Sequence, residues 1–397
     1  MRCRVCDAKE FEVAVDLKKQ PWGNHFLTVD EVGKEPLYPL RVIYCTCCQT
    51  AQLDYTVPKE VMFSNHTYLS GITQSLRMHF QEIANQVDQT FFWGKPMKRV
   101  LDIGSNDGSQ LFYYQQLGYE VLGIESSVRT AQIANEKGIP TLNAFFNLST
   151  AETIQEPFDV INASGVFFHL EELHSVTAAI KKLLKTNGVF VVQFIYMKKI
   201  MENVAFDQIY HEHLLYYTLR TIETLLQRHG LSLFDACLSP IHGGSIIGYV
   251  GHIGTRASSD RLRRLQKEEE ESKCNELGAY HELAIKMEQL KAQNLEYLQK
   301  ARQQGKKIFG MGAPVKGNTL LNYFGIDKSL LDCLVEKNPL RKGLFSPGSH
   351  LEIKLEDELA SPPDIYYVLA WNFRKEILKN NQHLLEKGVE FHFPVYA

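Results

Sequence analysis

The chain has 397 residues, of which 22% are charged and 44% apolar, and a formal net charge of -3 at pH 7. That length implies two or three domains, each able to bury its own core, and the near-neutral balance excludes a broad basic field for nucleic acid or an anionic membrane. No apolar run is long enough to cross a bilayer, the opening MRCRVCDAKEF lacks the apolar segment of a secretory leader, and eight scattered cysteines in so long a chain point to a reducing cytoplasm.

Residues 1–62 are rich in cysteine, turn residues and short β-like runs such as LYPLRVIYC. Cys3 and Cys6 form one CxxC knuckle, and Cys45 and Cys48 form a second. Two such knuckles bring four thiolates to one tetrahedral zinc ion. Cys47 offers a competing thiol. A closed four-cysteine site is structural, so it is expected to organise this module and to take no part in catalysis.

From Arg99 the texture changes, and residues 63–254 read as a second unit. RVLDIGS, EVLGIESS, FDVINASG and GVFVVQFIY are apolar strands alternating with helix-compatible segments, which predicts a doubly wound parallel sheet. The first strand ends in Asp102, and the loop after it carries Gly104, Asn106 and Gly108. Such glycines let the backbone turn tightly and approach a ligand at the start of the next helix. Glu125 closes the second strand, where a carboxylate accepts hydrogen bonds from both ribose hydroxyls of an adenosine-type ligand. The loop reads D-x-G-x-x-x-G, whereas dinucleotide sites read G-x-G-x-x-G. Its bulky Asn-Asp pair leaves little room for a pyrophosphate. S-adenosylmethionine, which has no phosphate, is therefore the expected cofactor, with Ser126 and Asn162 among its contacts.

His169 follows the next strand, and Tyr196 leads from the last one into FDQIYHEHLLYY. In an open parallel sheet both lie on the ligand side, at the carboxyl ends of the strands. His211 and His213 are two apart with no third ligand at helical spacing, so a metal site is the weaker reading. Tyr210, Glu212 and His213 form a plausible hydrogen-bond donor, orienting carboxylate and base, and Tyr216 and Tyr217 read as packing residues. His242 and Gly243, in HGGS, suggest close backbone approach to a ligand or a sharp turn.

Residues 255–304 are polar and charged and read as a helical linker, with Leu283, Ile285, Met287, Leu290, Leu295 and Leu298 as an apolar stripe. Residues 305–397 start a second strand–glycine loop–helix unit at KKIFGMGAPVKGNTLLNYFGI. Lys316 and the backbone amides of that loop would hold a nucleotide, or the loop is a structural remnant of a dinucleotide fold.

Taken together, the four cysteines, DIGSNDG, VFFHLEELH, FDQIYHEH, HGG, GMGAPVKGNTLLNYFGID, SPGSHLEI and AWN give a chain that resembles, over nearly its whole length, the S-adenosylmethionine-dependent sugar 3-C-methyltransferases. The resemblance implies an α/β protein with a small zinc-binding N-terminal module, a central Rossmann-like class I methyltransferase domain and a C-terminal Rossmann-like domain. It implies methyl transfer to carbon 3 of a nucleotide-linked 4-keto-deoxysugar, with dTDP as the expected nucleotide and no nucleic-acid or membrane partner. His213 would be the base, Glu212 its orienting partner, and His169 and Tyr210 the donors to the sugar's carbonyl oxygen. Tyr68, Tyr196, His242, Gly243 and Lys316 would contact the substrate, with His66 an alternative to Tyr68. Gln193 stands where many relatives carry Glu or Asp, and Ile247 where most carry Arg, which suggests a difference in sugar or nucleotide. A different small-molecule acceptor, methylated on oxygen or carbon, is the alternative activity. A zinc-module protein that binds nucleic acid or a partner is the non-enzymatic one, and the near-neutral charge argues against nucleic acid.

Overall fold

The computed structural model describes residues 1–63 and 69–395, apart from the side chain of Ile72. The first module is an antiparallel sheet of β1 (Phe11–Pro21), β2 (Leu37–Cys45) and β3 (Ala51–Leu53). Two tight turns hold the cysteines. In each, the residue after the second cysteine is left-handed, Asp7 at φ 65 and Gln49 at φ 65. Its N–H returns to the carbonyl of the first cysteine, at 3.0 Å for Asp7 and 2.8 Å for Gln49.

Next come β4 (Lys98–Ile103), β5 (Tyr119–Glu125), β6 (Thr141–Asn143), β7 (Phe158–Ser164), β8 (Leu184–Ile195), β9 (Leu215–Tyr216), β10 (Leu231–Ser239) and β11 (Ser245–His252). Seven of these form one sheet, in the order β10-β11-β8-β7-β4-β5-β6, with β11 antiparallel to β8. Val189, Phe190, Val191 and Val192 are all fully buried. Such a continuous apolar run is what a strand covered on both faces requires. The strand order reverses between β4 and β7, which opens the ligand crevice at their carboxyl ends. The strand left out, β9, joins the first module: Ala51 pairs with Tyr216 and Gln52 with Leu215. The segment Tyr210–Tyr217 therefore crosses the seam between the two units.

A five-stranded parallel sheet follows: β12 (Ile308–Met311), β13 (Cys333–Glu336), β14 (Ile353–Leu355), β15 (Ile365–Val368) and β16 (Glu390–His392), in the order β14-β13-β12-β15-β16. Between the sheets run helices Asp260–Glu271 and Leu277–Gln303. The apolar stripe of the second consists of Tyr280, Leu283, Met287, Leu290 and Leu298, with Asn294 on the same face. Ile285, expected in the stripe, is 60% exposed, because two residues from Leu283 is most of the way to the far face. The charge run is not wholly solvated either. Glu269 is buried and accepts from the Tyr196 hydroxyl at 2.8 Å, the N–H groups of Leu219 and Arg220 at 2.7 and 3.0 Å, and Asn275 at 2.9 Å. It thereby caps the start of helix Leu219–Arg228, where a negative charge is favoured. Among the described residues, no helix is long and apolar enough to cross a membrane.

Candidate active site

Local geometry builds the cofactor side. Gly104 has φ +67, and a Cβ there would lie 2.6 Å from the Val166 side chain, so only glycine lets the loop pass. Asn106 is left-handed as well, and its main-chain N–H donates to the Glu125 carboxylate at 3.0 Å. The Ser127 N–H donates to the other oxygen at 2.8 Å, and the Ser126 hydroxyl lies 3.4 Å away. From outside, the Ser70 N–H donates to the Asn106 side chain at 2.9 Å. Gly108 has φ +77 and opens helix Ser109–Gln116.

Burial pushes the Asp102 carboxyl well above its ordinary value, with the Glu125 charge adding to the effect, and burial also raises Glu125. Among the described residues no Lys, Arg or His forms an ion pair with either. Two buried carboxyls without a counter-ion, at the ends of adjacent strands, suit a ligand that brings hydroxyl donors and positive charge. S-adenosylmethionine carries both, so the residues fit it. Asn162 departs from expectation. It is fully buried inside the sheet, opposite Asp102, with its oxygen accepting from the Tyr114 hydroxyl at 3.3 Å and its Nδ2 without a partner.

The residues expected to act as acid and base converge where β9 crosses the seam. His213 lies with its ring centroid 3.8 Å from that of Tyr210 and 5.1 Å from that of His169. Its Nδ1 is 2.7 Å from the Gln208 carbonyl oxygen. A carbonyl only accepts, so Nδ1 carries the proton and the neutral ring keeps its lone pair at Nε2. Burial, reinforced by the neighbouring His169, holds His213 well below the usual imidazole value. His169 is fixed in the same way, its Nδ1 2.5 Å from the Glu212 carbonyl oxygen.

Glu212 is not the orienting partner of His213; the Gln208 carbonyl fills that place. The Glu212 carboxyl instead turns to the first module, accepting from the Trp22 indole N–H at 2.9 Å and from the Asn24 side chain. Burial raises it to about 7, and the two donors oppose the rise. His211 points the other way, edge-on to Tyr38 at 5.8 Å, and is pushed down to about 4 by burial. The two histidines of HEH thus face different neighbours, and among the described residues the group close enough to hold a metal ion is the four cysteines. Tyr216 and Tyr217 are buried packing residues, as expected. Tyr68 and its alternative His66 lie outside the described residues.

The third unit contributes a cation. Lys316 is half-buried, its Nζ 3.6 Å from the centre of the Trp371 ring and donating to the Asn372 side chain at 2.7 Å. Burial lowers it to about 8, against the opposing charge of Asp207. Asp207 is fully buried and accepts from the Trp371 indole at 2.6 Å. The ligand approaching Gly243 is Trp371 itself: a Cβ on Gly243 would lie 2.6 Å from its ring. The His242 carbonyl accepts from Gln208 at 2.8 Å, and burial followed by the Lys316 charge pushes its ring down to about 4. Tyr196 is a correction, because its phenol is committed to Glu269 and is not presented to a substrate. Sequence reasoning missed Trp22, Asn24 and Asp207. The turn-forming PWGN around Trp22 is a local signal, but nothing in it marks a site.

At the zinc cluster, the four sulfurs of Cys3, Cys6, Cys45 and Cys48 lie within 4.8 Å of one another, with Cys3–Cys48 at 3.5 Å and Cys6–Cys45 at 3.6 Å. These separations are far too long for a disulfide and close to those of thiolates sharing a tetrahedral zinc with bonds of about 2.3 Å. Cys47 is exposed and outside the cluster.

Family models match along the chain: a "Putative zinc binding domain" over residues 3–63, a methyltransferase domain over 76–235 and a C-methyltransferase C-terminal domain over 240–395. The chain is similar to C-methyltransferase NovU of Streptomyces niveus, 29% identical over 403 residues, spanning 99% of this chain and 95% of that protein. Among solved structures it is similar to the plantazolicin methyltransferase BpumL in complex with SAH, at 17% identity and a TM-score of 0.36 over 44% of this chain and 83% of that one. A second is magnesium protoporphyrin IX methyltransferase from Synechocystis with bound SAM, at 15% identity and a TM-score of 0.34 over 47% and 86%. With a reversal-point crevice suited to the cofactor, a cysteine cluster suited to zinc and a matching C-methyltransferase domain, the chain is an S-adenosylmethionine-dependent C-methyltransferase that carries a zinc-binding N-terminal module.

Proposed function

We propose that this enzyme methylates carbon 3 of a nucleotide-linked 4-keto-deoxysugar, with dTDP as the favoured nucleotide and His213 as the base. The observation that carries the reading is the neutral, buried His213, its Nδ1–H fixed on the Gln208 carbonyl and its Nε2 lone pair left to take a proton. Carbon 3 of such a sugar is acidic because its electron pair, once the proton leaves, delocalises onto the adjacent carbonyl oxygen. That oxygen then needs a donor. The Tyr210 phenol, its ring centre 3.8 Å from that of His213, supplies one without gaining a proton. His169 presents a lone pair at Nε2 when neutral and donates to the oxygen only as imidazolium, so it also serves as an acceptor for a sugar hydroxyl. When bound, S-adenosylmethionine supplies the electrophilic methyl group that this carbon takes up. Asp102 and Glu125 would hold its hydroxyl and cationic groups, with the 104–108 loop and Ser126 closing around it. Lys316, held over Trp371 from the third unit, offers a cation to a phosphate or other polar group of the substrate.

The test is mass spectrometry after incubation with S-adenosylmethionine and a panel of nucleotide-linked 4-keto-6-deoxysugars in D₂O. The expected product is heavier by one methyl on carbon. With S-adenosylhomocysteine instead, recovered sugar should carry deuterium at carbon 3. His213→Ala should slow both by about 10²–10⁴-fold. A methyl on oxygen without exchange, or no reaction with any keto sugar, would overturn the reading.

A further inference from the structure

The turn that ends β1, Trp22–Gly23–Asn24, touches all three units. Trp22 and Asn24 both donate to the buried Glu212 carboxyl. Gly23 is pinned from the other side, its carbonyl accepting from Asn318 at 2.7 Å. A Cβ at Gly23 would stand 3.0 Å from the Val315 carbonyl oxygen. Helix Val315–Phe324 of the third unit thus sits against the turn so closely that a side chain there would crowd it. The anchored segment matters because the Glu212 carbonyl orients His169 and the next residue is His213.

We propose that Trp22 and Asn24 are positioning residues for the acid–base cluster: they hold the Glu212 side chain and so fix the backbone that carries His213 and orients His169. The zinc module is then a working part of the active site, contrary to the purely structural role its cysteines suggest. The inference rests on the reading of His213 as the base. An N–H donor aimed at a carboxyl favours the ionised form, so removing either donor raises the carboxyl's midpoint.

Glu212→Gln identifies the limb of the kcat–pH profile that belongs to this carboxyl, as the limb it abolishes. In Trp22→Phe, which keeps a ring and deletes the donor, that limb should move up by about one pH unit and the kcat plateau should fall about tenfold. KM should change by less than about twofold, since neither residue is placed on the substrate. Asn24→Ala should move the same limb in the same direction, and it carries the test if Trp22→Phe lowers zinc content or the melting temperature. A lost donor in the fold alone would lower stability without moving the limb. Difference infrared spectroscopy of the carboxyl band, against Glu212→Gln, reads the same shift with no substrate present. If the band moves but the wild type neither exchanges nor methylates any keto sugar, the positioning stands and the substrate reading fails. If neither limb nor band moves in correctly folded variants, the inference is wrong.

Discussion

Glu212 couples stability to pH because its folded and unfolded carboxyls differ. Unfolded, it titrates near 4.5; in the fold, burial raises it to about 7. Between these values the folded state binds the extra proton, so the group's contribution is fully present below about 4.5 and lost as pH rises through 7. The raised carboxyl is worth about 3 kcal/mol across that window, from about 1.4 kcal/mol per unit. Glu212→Gln keeps the shape and removes the titration. The wild type should therefore lose stability relative to this variant between pH 4.5 and 7, as measured by denaturant midpoints at the two ends. Parallel curves for the two proteins would show that the carboxyl does not titrate there. The sequence marked Glu212 as part of the acid–base segment through its aromatic and histidine neighbours. It did not reveal the partner, because Trp22 lies 190 positions away and only tertiary packing joins them.

Strand pairing gives a meaning to two residues that looked like unrelated departures. Gln193 on β8 and Ile247 on β11 are directly opposite one another, and opposed residues of an antiparallel pair point to the same face. On that face Ile247 packs with Val189, Val191 and Tyr249, and His79 lies 2.7 Å from the Gln193 amide oxygen. The acid and the arginine expected from relatives would therefore face each other in this core, and here both charges are absent together. Loss of a phosphate partner need not follow. Ile247→Arg alone should destabilise by roughly 3 kcal/mol, since it buries an unpaired cation. Adding Gln193→Glu should recover a large part, giving a coupling of about 1–3 kcal/mol in a double-mutant cycle of melting temperatures. Additive costs would mean the two sites are independent. Strand identities were readable from apolar runs, but strand order and register were not, so the pairing of these two positions was invisible to sequence inspection. Ile285 lies outside the stripe for a simpler reason: two residues on from Leu283, it stands most of the way round to the far face of the helix, and it is exposed.

At the scale of the whole molecule, the site is a junction. The central sheet supplies the cofactor crevice, the first module supplies Trp22 and Asn24, and the third supplies Lys316 and Trp371. The cysteine knuckles and the glycine loop were legible because each is a local device, complete within a few residues. The two-residue β9, which ties the first module to the segment carrying His213, has too little pattern to be read locally. This architecture makes zinc matter unequally for the two halves of the reaction. Stripping the metal should unfold the first module, since thiolate ligation supplies much of such a module's folding energy. The carboxyl of Glu212 then loses both donors and β3 no longer holds β9. The residues expected to contact the cofactor, Gly104, Asn106 and Glu125, belong to the central sheet and its own loops. Chelator-treated protein should accordingly lose deuterium exchange at carbon 3 by more than about tenfold, yet keep its affinity for S-adenosylhomocysteine within about threefold by calorimetry, a change of under 1 kcal/mol. Equal loss of both would place the cofactor crevice itself under the control of the zinc module. Retention of both would mean the module holds its shape, and the Trp22 turn its place, without metal.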